Sequence, residues 1–287
     1  MEKTINPDLF KGVPAHQLEL LQRFVANHPC KRSQAGEQTI EYLSSGRGDE
    51  TILFLSGAMA TPYMWFHAIS EFERSHRVLA PNLPPTGLTA DQIIAQIIHL
   101  LDAEGIAKTH VVGYSYGGGI AQYLAEKAPD RLDKLILSHT ATIRRPDAAK
   151  ITQKRLDLLR PLPDITPLLR FVRSRGGKAS AWWAFRNGLL RWMGGQIDKS
   201  ALIKMLEQNR QFYEDIEHLP IGRVSWTGNT VVLGTKTDGD TFAYFAELCA
   251  LYPDCASHIF DLPSGHHTIF LYPQAHTTIL REFISGD

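Results

Sequence analysis

A single serine stands between two glycines in the stretch GYSYG, residues 113–117, where an apolar run gives way to a helical pattern. Glycines at this spacing admit a sharp turn that lifts the Ser115 hydroxyl clear of a sheet. The amino end of the following helix would favour the negative charge that develops when a hydroxyl attacks a carbonyl. Because such a pattern arises by chance in about one similar chain in eleven, other residues must decide whether Ser115 is a nucleophile.

A serine hydroxyl needs a base to remove its proton, and the base needs an acid to orient it. After a serine on a strand–turn–helix segment, the acid comes next along the chain and the histidine last. Near the end of the chain the loop GHH supplies the base, which we assign to His266, with His267 as the alternative. The acid belongs in the loop after the run VVLGT. Asp238 is our first choice there, because it is closer to the end of the strand. Asp240 remains the alternative acid.

Two backbone N–H groups are needed to hold the oxyanion that forms during attack. One is expected from Tyr116, directly after the serine, and the other from the loop that follows the apolar run TILFLSG. In that loop we select Ala58, behind Gly57. An ordinary Gly-Ala turn would have the same sequence. With the serine, the acid and the histidine in the required order, the sequence predicts a serine nucleophile.

The segments that must hold these residues alternate between strand-like and helix-like patterns. An amphipathic helix is predicted over residues 14–26, followed by two strand-like runs on either side of a turn at residues 46–49, and by a third strand from His76. Isoleucines at helical spacing predict a helix in LTADQIIAQIIHLLDAEGI. The strands THVVG, KLILSHT, NTVVLGT and ASHIFDL follow, with a helix from Tyr116 to about Ala128. This order predicts an α/β fold with a mostly parallel sheet and helices on both faces.

Residues 141–225 interrupt the alternation and are predicted to form an inserted helical cap, which leaves 1–140 and 226–287 as the core. The insertion holds 16 Lys and Arg against 8 Asp and Glu, and three of the five tryptophans lie in one of its stretches. We interpret it as a lid whose aromatic residues pack on a pocket while its arginines face water. The alternative is a contact with an anionic substrate, an acidic partner or a membrane surface.

Composition excludes several classes of protein. The formal net charge of zero gives no general attraction to nucleic acid, and no apolar run approaches the roughly 20 residues that cross a bilayer. The beginning, MEKTINPDLFKGVP, lacks the apolar core of a secretory signal. Three cysteines form neither a disulfide framework nor a metal cluster. We therefore expect a cytoplasmic chain with reduced thiols, without metal or cofactor.

Taken together, these motifs resemble the α/β-hydrolase-fold superfamily. The resemblance implies an eight-stranded sheet with a cap, GYSYG as the nucleophile turn, GHH as the histidine loop and LSGAM at the oxyanion position. Two features depart from many relatives: Ser56 precedes Gly57 where His-Gly is common, and PNLPPTGLT replaces a D-x-x-G-x-G-x-S loop. This short loop, with LYPDC before the last strand, is similar to the maspardin-like branch, which is discussed more for partner binding than for a defined substrate.

The expected function is hydrolysis of a carboxylic ester, thioester or lactone through an acyl-enzyme, with a small acyl molecule as the substrate. Two alternatives remain, because a fold does not determine a function. One is different chemistry on the same residues, such as carbon–carbon cleavage, perhalogenation or cofactor-free oxygenation. The other is a binding protein without turnover.

Overall fold

The computed structural model describes residues 4–35, 38–58, 60–82, 87–145, 147–165, 181–195, 198–219 and 224–286 of the 287. Eight strands of these residues form one sheet. They are β1 (Lys31–Ala35), β2 (Gln38–Ser45), β3 (Thr51–Leu55), β4 (Arg77–Pro81), β5 (Thr109–Tyr114), β6 (Leu132–Ser138), β7 (Thr230–Thr235) and β8 (Ala256–Phe260).

The strands lie in the order β1-β2-β4-β3-β5-β6-β7-β8. β2 runs antiparallel to both of its neighbours, and every other neighbouring pair is parallel. All residues of β3, β5 and β7 are buried, because strands of a sheet covered on both faces have no polar side to show. The sheet confirms the predicted α/β fold with a mostly parallel eight-stranded sheet.

Helices pack on both faces of this sheet and divide its apolar residues into two clusters. The helices are α1 (Ala15–Asn27), α2 (Phe66–Phe72), α3 (Ala90–Ala103), α4 (Tyr116–Lys127), α5 (Ala148–Leu159), α6 (Ala181–Gly195), α7 (Lys199–Asp215), α8 (Gly239–Phe242), α9 (Phe245–Ala250), α10 (Thr268–Leu271) and α11 (Pro273–Ser285). Residues of α3, α4 and α9 belong to one cluster, and residues of α1, α2, α6 and α11 belong to the other.

Helix α3 shows how sequence and packing agree in this fold. It begins with a capping box, in which the Thr89 hydroxyl accepts from the N–H of Gln92 and the Gln92 side chain accepts from the N–H of Thr89. Its isoleucines and leucines recur every three to four residues and lie buried against the sheet. The predicted helix over this stretch is therefore confirmed.

Strand β1 was not predicted. Its sequence KRSQA has no alternation of apolar and polar residues, because β1 is an edge strand and its described side chains are at least partly open to water. It is held by the antiparallel ladder with β2, in which the opposed residues Arg32 and Glu41 form an ion pair of 2.9 Å. Pairing with a neighbour, and not burial, makes this segment a strand.

The insertion between β6 and β7 contains the helices α5, α6 and α7. Helices α5 and α7 pack together through four buried leucines, Leu156, Leu159, Leu202 and Leu206. Helix α6 instead contacts the amino-terminal turn Pro7–Phe10, where the rings of Phe10 and Phe185 are 5.9 Å apart. Residues 166–180, with the basic run RFVRSRGGK, lie outside the described residues. The division into a core and a cap over 141–225 stays a prediction.

The described residues contain neither a candidate membrane span nor a candidate metal site. None of the helices in the described ranges has the length and apolar character needed to span a membrane. Within the same ranges, no three His, Cys, Asp or Glu side chains come together in a way that would hold a metal ion.

Candidate active site

Ser115 lies in a sharp turn between the end of β5 and the first residue of α4. Its backbone has φ 54° and ψ −119°, a left-handed conformation that is uncommon for a residue with a side chain and is found most often at functional sites. The two flanking glycines are required by space. A Cβ on Gly113 would lie 2.6 Å from the carbonyl oxygen of Gly117, and one on Gly117 would lie 2.2 Å from that of Leu55.

His266 comes from the turn after β8, and its ring reaches the serine. Its Nε2 lies 2.9 Å from Ser115 Oγ, and its Nδ1 lies 2.8 Å from Oδ2 of Asp238. About a third of the His266 side chain is exposed, whereas Asp238 is only 5% exposed. The structure thus brings Ser115, His266 and Asp238 into one chain of hydrogen bonds. Such a chain can carry a proton away from the serine hydroxyl.

Asp238 lies in the loop after β7, at the start of α8. Burial by itself would raise the pKa of its carboxyl group, but hydrogen bonds from His266 and from the Thr241 hydroxyl, together with the charge of the imidazole, hold the pKa below its ordinary value. The carboxylate therefore remains ionised beside the imidazole. Of the alternative acid, Asp240, only the backbone within α8 is described; its side chain lies outside the described part of the structure.

The alternative base, His267, has a different partner. Its Nε2 is 2.5 Å from Nη2 of Arg186 on α6, and its ring centre is 6.1 Å from that of His266. Burial and the positive charge of Arg186 lower the pKa of His267 to about 3, so the ring is neutral. The structure brings this histidine to the insertion and not to the serine.

The two residues selected for the oxyanion contacts belong to two turns that come close together at Ser115. Tyr116 is the first residue of α4, and the first N–H groups of a helix have no acceptor inside it. Ala58 belongs to the turn after β3. Its neighbour Gly57 lies so close to the serine that a Cβ added there would be 3.3 Å from Ser115 Cβ. Backbone donors of both turns can therefore serve one oxygen.

Three further side chains, which the sequence analysis missed, hold the turn that carries His266. The Tyr114 hydroxyl donates to the carbonyl oxygen of His266. The Thr235 hydroxyl donates to the carbonyl oxygen of Gly265 at 2.8 Å, and the N–H of Gly265 donates to the Thr237 hydroxyl at 3.0 Å. The threonines of GTKT, directly after the apolar run of β7, were the available signal, since the ends of parallel strands meet at one edge.

Several basic residues of the insertion have acidic partners. Ion pairs join Arg144 to Glu126, Arg145 to Asp147, Arg160 to Glu207 and Arg210 to Glu214. Asp147, Glu207 and Glu214 are among the eight acidic residues of 141–225, so of these four partners only Glu126 offsets part of the surplus positive charge of the insertion. The basic residues Arg170, Arg173, Arg175, Lys178 and Arg223 lie outside the described residues.

Comparison with known proteins agrees with this architecture. The model of the α/β hydrolase fold matches residues 50–226. The dihydrolipoyllysine-residue acetyltransferase component of the acetoin cleaving system of Cupriavidus necator is 33% identical over 101 residues, covering 32% of this chain and 27% of that protein. The 3-oxoadipate enol-lactonase 2 of Acinetobacter baylyi is 27% identical over 150 residues, covering 49% of this chain and 55% of that protein. The matches thus span between about a quarter and about half of these relatives.

A solved structure, that of a hydrolase from Pseudomonas aeruginosa PA01, is similar over 89% of this chain and 98% of its own, with a TM-score of 0.72. At 19% identity this likeness concerns the fold alone. The maspardin-like branch stays a prediction. Because the family model covers more than half of the chain and the observed sheet agrees with it, the chain belongs to the α/β-hydrolase-fold family.

Proposed function

We propose that this chain is a serine hydrolase that cleaves a carboxylic ester, thioester or lactone through an acyl-enzyme. The observation that supports it is the hydrogen-bond chain from Asp238 through His266 to Ser115, at a serine in the left-handed turn between β5 and α4. A strained backbone at a hydroxyl that contacts an imidazole is typical of a nucleophile.

In the proposed reaction Ser115 Oγ attacks the carbonyl carbon of the substrate while its proton passes to Nε2 of His266. The N–H groups of Ala58 and Tyr116 hold the negative oxygen of the tetrahedral intermediate. The carbon–oxygen or carbon–sulfur bond to the leaving group then breaks, and the leaving group takes the proton from His266. Water hydrolyses the acyl-enzyme by the same steps, with His266 acting as the base.

Asp238 has two tasks in this proposal. Its carboxylate accepts the proton on Nδ1 of His266, so that Nε2 is free to accept from the serine, and its charge stabilises the imidazolium that forms. The lowered pKa of Asp238 suits both tasks, because a protonated acid would supply neither the acceptor nor the charge.

The substrate class rests on chemistry and on one relative. Attack by an oxygen nucleophile on an activated carbonyl is common to esters, thioesters and lactones, and the relative from Acinetobacter baylyi is named an enol-lactonase. We further propose that 141–225 forms the cap over the substrate. In support, Trp182 of α6 contacts His67 of the core, and Trp183 contacts His267 beside the site.

A fluorophosphonate probe followed by peptide mass spectrometry tests the proposal, since it labels only activated serines. We expect labelling of Ser115, and we expect Ser115→Ala to remove both labelling and esterase activity, by about 10⁶ in kcat. Ser44→Ala, which removes a hydroxyl from β2, is the matched control. Wild-type protein that is folded but takes up no label, and hydrolyses none of a series of acyl esters of graded length, would contradict the proposal.

A further inference from the structure

Five buried polar side chains form a continuous line behind the candidate active site. Ser264 Oγ lies 2.7 Å from Thr268 Oγ1, which lies 2.8 Å from Nε2 of His139. Nδ1 of His139 lies 3.0 Å from Ser138 Oγ, which lies 2.9 Å from Nε2 of His276. Each of these residues is at most 2% exposed. The line joins the end of β6 to both ends of the turn that contains His266.

The donor and the acceptor of each hydrogen bond in this line can be assigned from the position of the proton on His276. Among the described residues, Nδ1 of His276 has no hydrogen-bond partner. A buried N–H without an acceptor is rarer than a buried acceptor without a donor, so the proton of His276 belongs on Nε2. His276 then donates to Ser138, Ser138 to His139, His139 to Thr268 and Thr268 to Ser264. Burial lowers the pKa of His276 to about 3 and that of His139 well below its ordinary value, so both rings are neutral.

His139 is held in a conformation that costs energy. Its φ of 48° is left-handed, a conformation that is unfavourable for a residue with a side chain and persists only where the surroundings impose it. The ring stacks on Phe260, with planes 17° apart, and stands almost perpendicular to the ring of His266 at 6.1 Å. A neutral imidazole accepts at one nitrogen and donates at the other, which is what the place between Ser138 and Thr268 requires.

We infer that His139 is a positioning residue, which holds His266 in reach of Ser115 by fixing the end of the 264–268 turn through Thr268. This inference rests on the serine hydrolase function proposed above. Tyr114 and Thr235 hold backbone oxygens of the same turn at His266 and Gly265. The bond from His139 adds the constraint at the far end, where α10 begins. Without it the imidazole is free to tilt away from the serine hydroxyl.

The decisive pair of variants is Thr268→Val and Thr268→Ser. Valine keeps the shape of threonine and removes the hydroxyl, whereas serine keeps the hydroxyl and removes a methyl group. Because a misplacement of about 1 Å can cost about 100-fold in rate, we expect Thr268→Val to lower kcat and the rate of fluorophosphonate labelling by about 10- to 100-fold, with KM unchanged. Thr268→Ser should restore both rates to near the wild-type values.

Thr109→Val is the matched control. Thr109 is as fully buried as Thr268 but lies at the start of β5, at the other end of the strand from Ser115. Its hydroxyl donates to the carbonyl oxygen of Thr51 at 3.0 Å. Its loss should lower stability and leave the labelling rate unchanged. If Thr268→Val only lowers stability in the same way, and labels at the wild-type rate, the inference is wrong. Wild-type protein that does not label at all would instead contradict the proposed function.

A second measurement concerns His139 itself. Asparagine tolerates the left-handed backbone but is too short to span from Ser138 to Thr268. His139→Asn should slow labelling when it is introduced into the wild-type protein. In the Thr268→Val variant it should have little further effect, because the contact between His139 and Thr268 is already gone. Multiplicative losses in the double variant would show that His139 does not act through Thr268.

Discussion

Replacing Asp238 by asparagine changes one buried oxygen next to His266 and keeps the shape of the side chain. The carboxylate accepts hydrogen bonds from His266 and Thr241 on the same oxygen, Oδ2. An asparagine amide supplies one oxygen without charge. It also offers an NH₂ group that can stabilise the wrong tautomer of the imidazole. We therefore expect Asp238→Asn to lower kcat strongly and to leave the fold intact.

The size of the effect follows from the contact between the carboxylate and the imidazole. With 2.8 Å between Oδ2 and Nδ1, the two charges are separated by about 4 Å, which corresponds to roughly 4 kcal/mol at an effective dielectric constant of about 20. That energy is worth about 10³ in rate. The wrong tautomer adds to it, since the total loss reaches about 10⁴ in related triads. We expect a fall in kcat between these two values.

The assay compares Asp238→Asn with Asp240→Asn in kcat for a chromogenic ester, with urea unfolding as the check on stability. Asp240 is the matched control, because it lies two residues away, within α8. A folded Asp238→Asn protein that retains more than a tenth of the wild-type kcat would refute the reasoning. A larger loss for Asp240→Asn would transfer the role to that residue.

Three further predictions concern packing, charge and pH. Gly117→Ala should destabilise by at least about 1–3 kcal/mol in urea unfolding, because its Cβ meets Leu55, whereas Gly239→Ala, which faces open space, should be nearly neutral. The ion pairs of the insertion predict parallel salt responses of kcat/KM for a neutral ester and its carboxylate analogue; a decline for the anionic ester alone would indicate steering by the cap. The pKa of His276 is about 3 when folded and about 6.5 when unfolded. Its stabilisation is therefore complete above pH 6.5 and declines as the pH falls. Between pH 7 and pH 5 the free energy of unfolding of His276→Phe should therefore fall by about 2 kcal/mol less than that of the wild type. Equal falls in the two proteins would contradict this prediction.

The local features of this protein could be read from its sequence because each depends on neighbouring residues. The turn at Ser115 needs glycines two residues away on each side, and helix α3 needs only its cap and its isoleucine spacing. The central parallel strands β3, β5 and β7 are mostly apolar and fully buried because both faces of the sheet are covered there. These requirements leave a pattern within a few positions, and the structure agrees with that pattern.

What the tertiary structure decided depends on residues far apart in the chain. Spacing along the chain cannot distinguish Asp238 from Asp240, because the two acids are only two residues apart. The folded loop brings Asp238 to His266, which lies 28 residues later in the chain. His267 contacts an arginine 81 residues earlier, on a helix of the insertion. The polar strand β1 exists only through pairing with β2, and His139 meets Thr268 only because β6 ends beside the turn after β8. Such contacts leave no local pattern, because they arise when the sheet brings the ends of separate strands together.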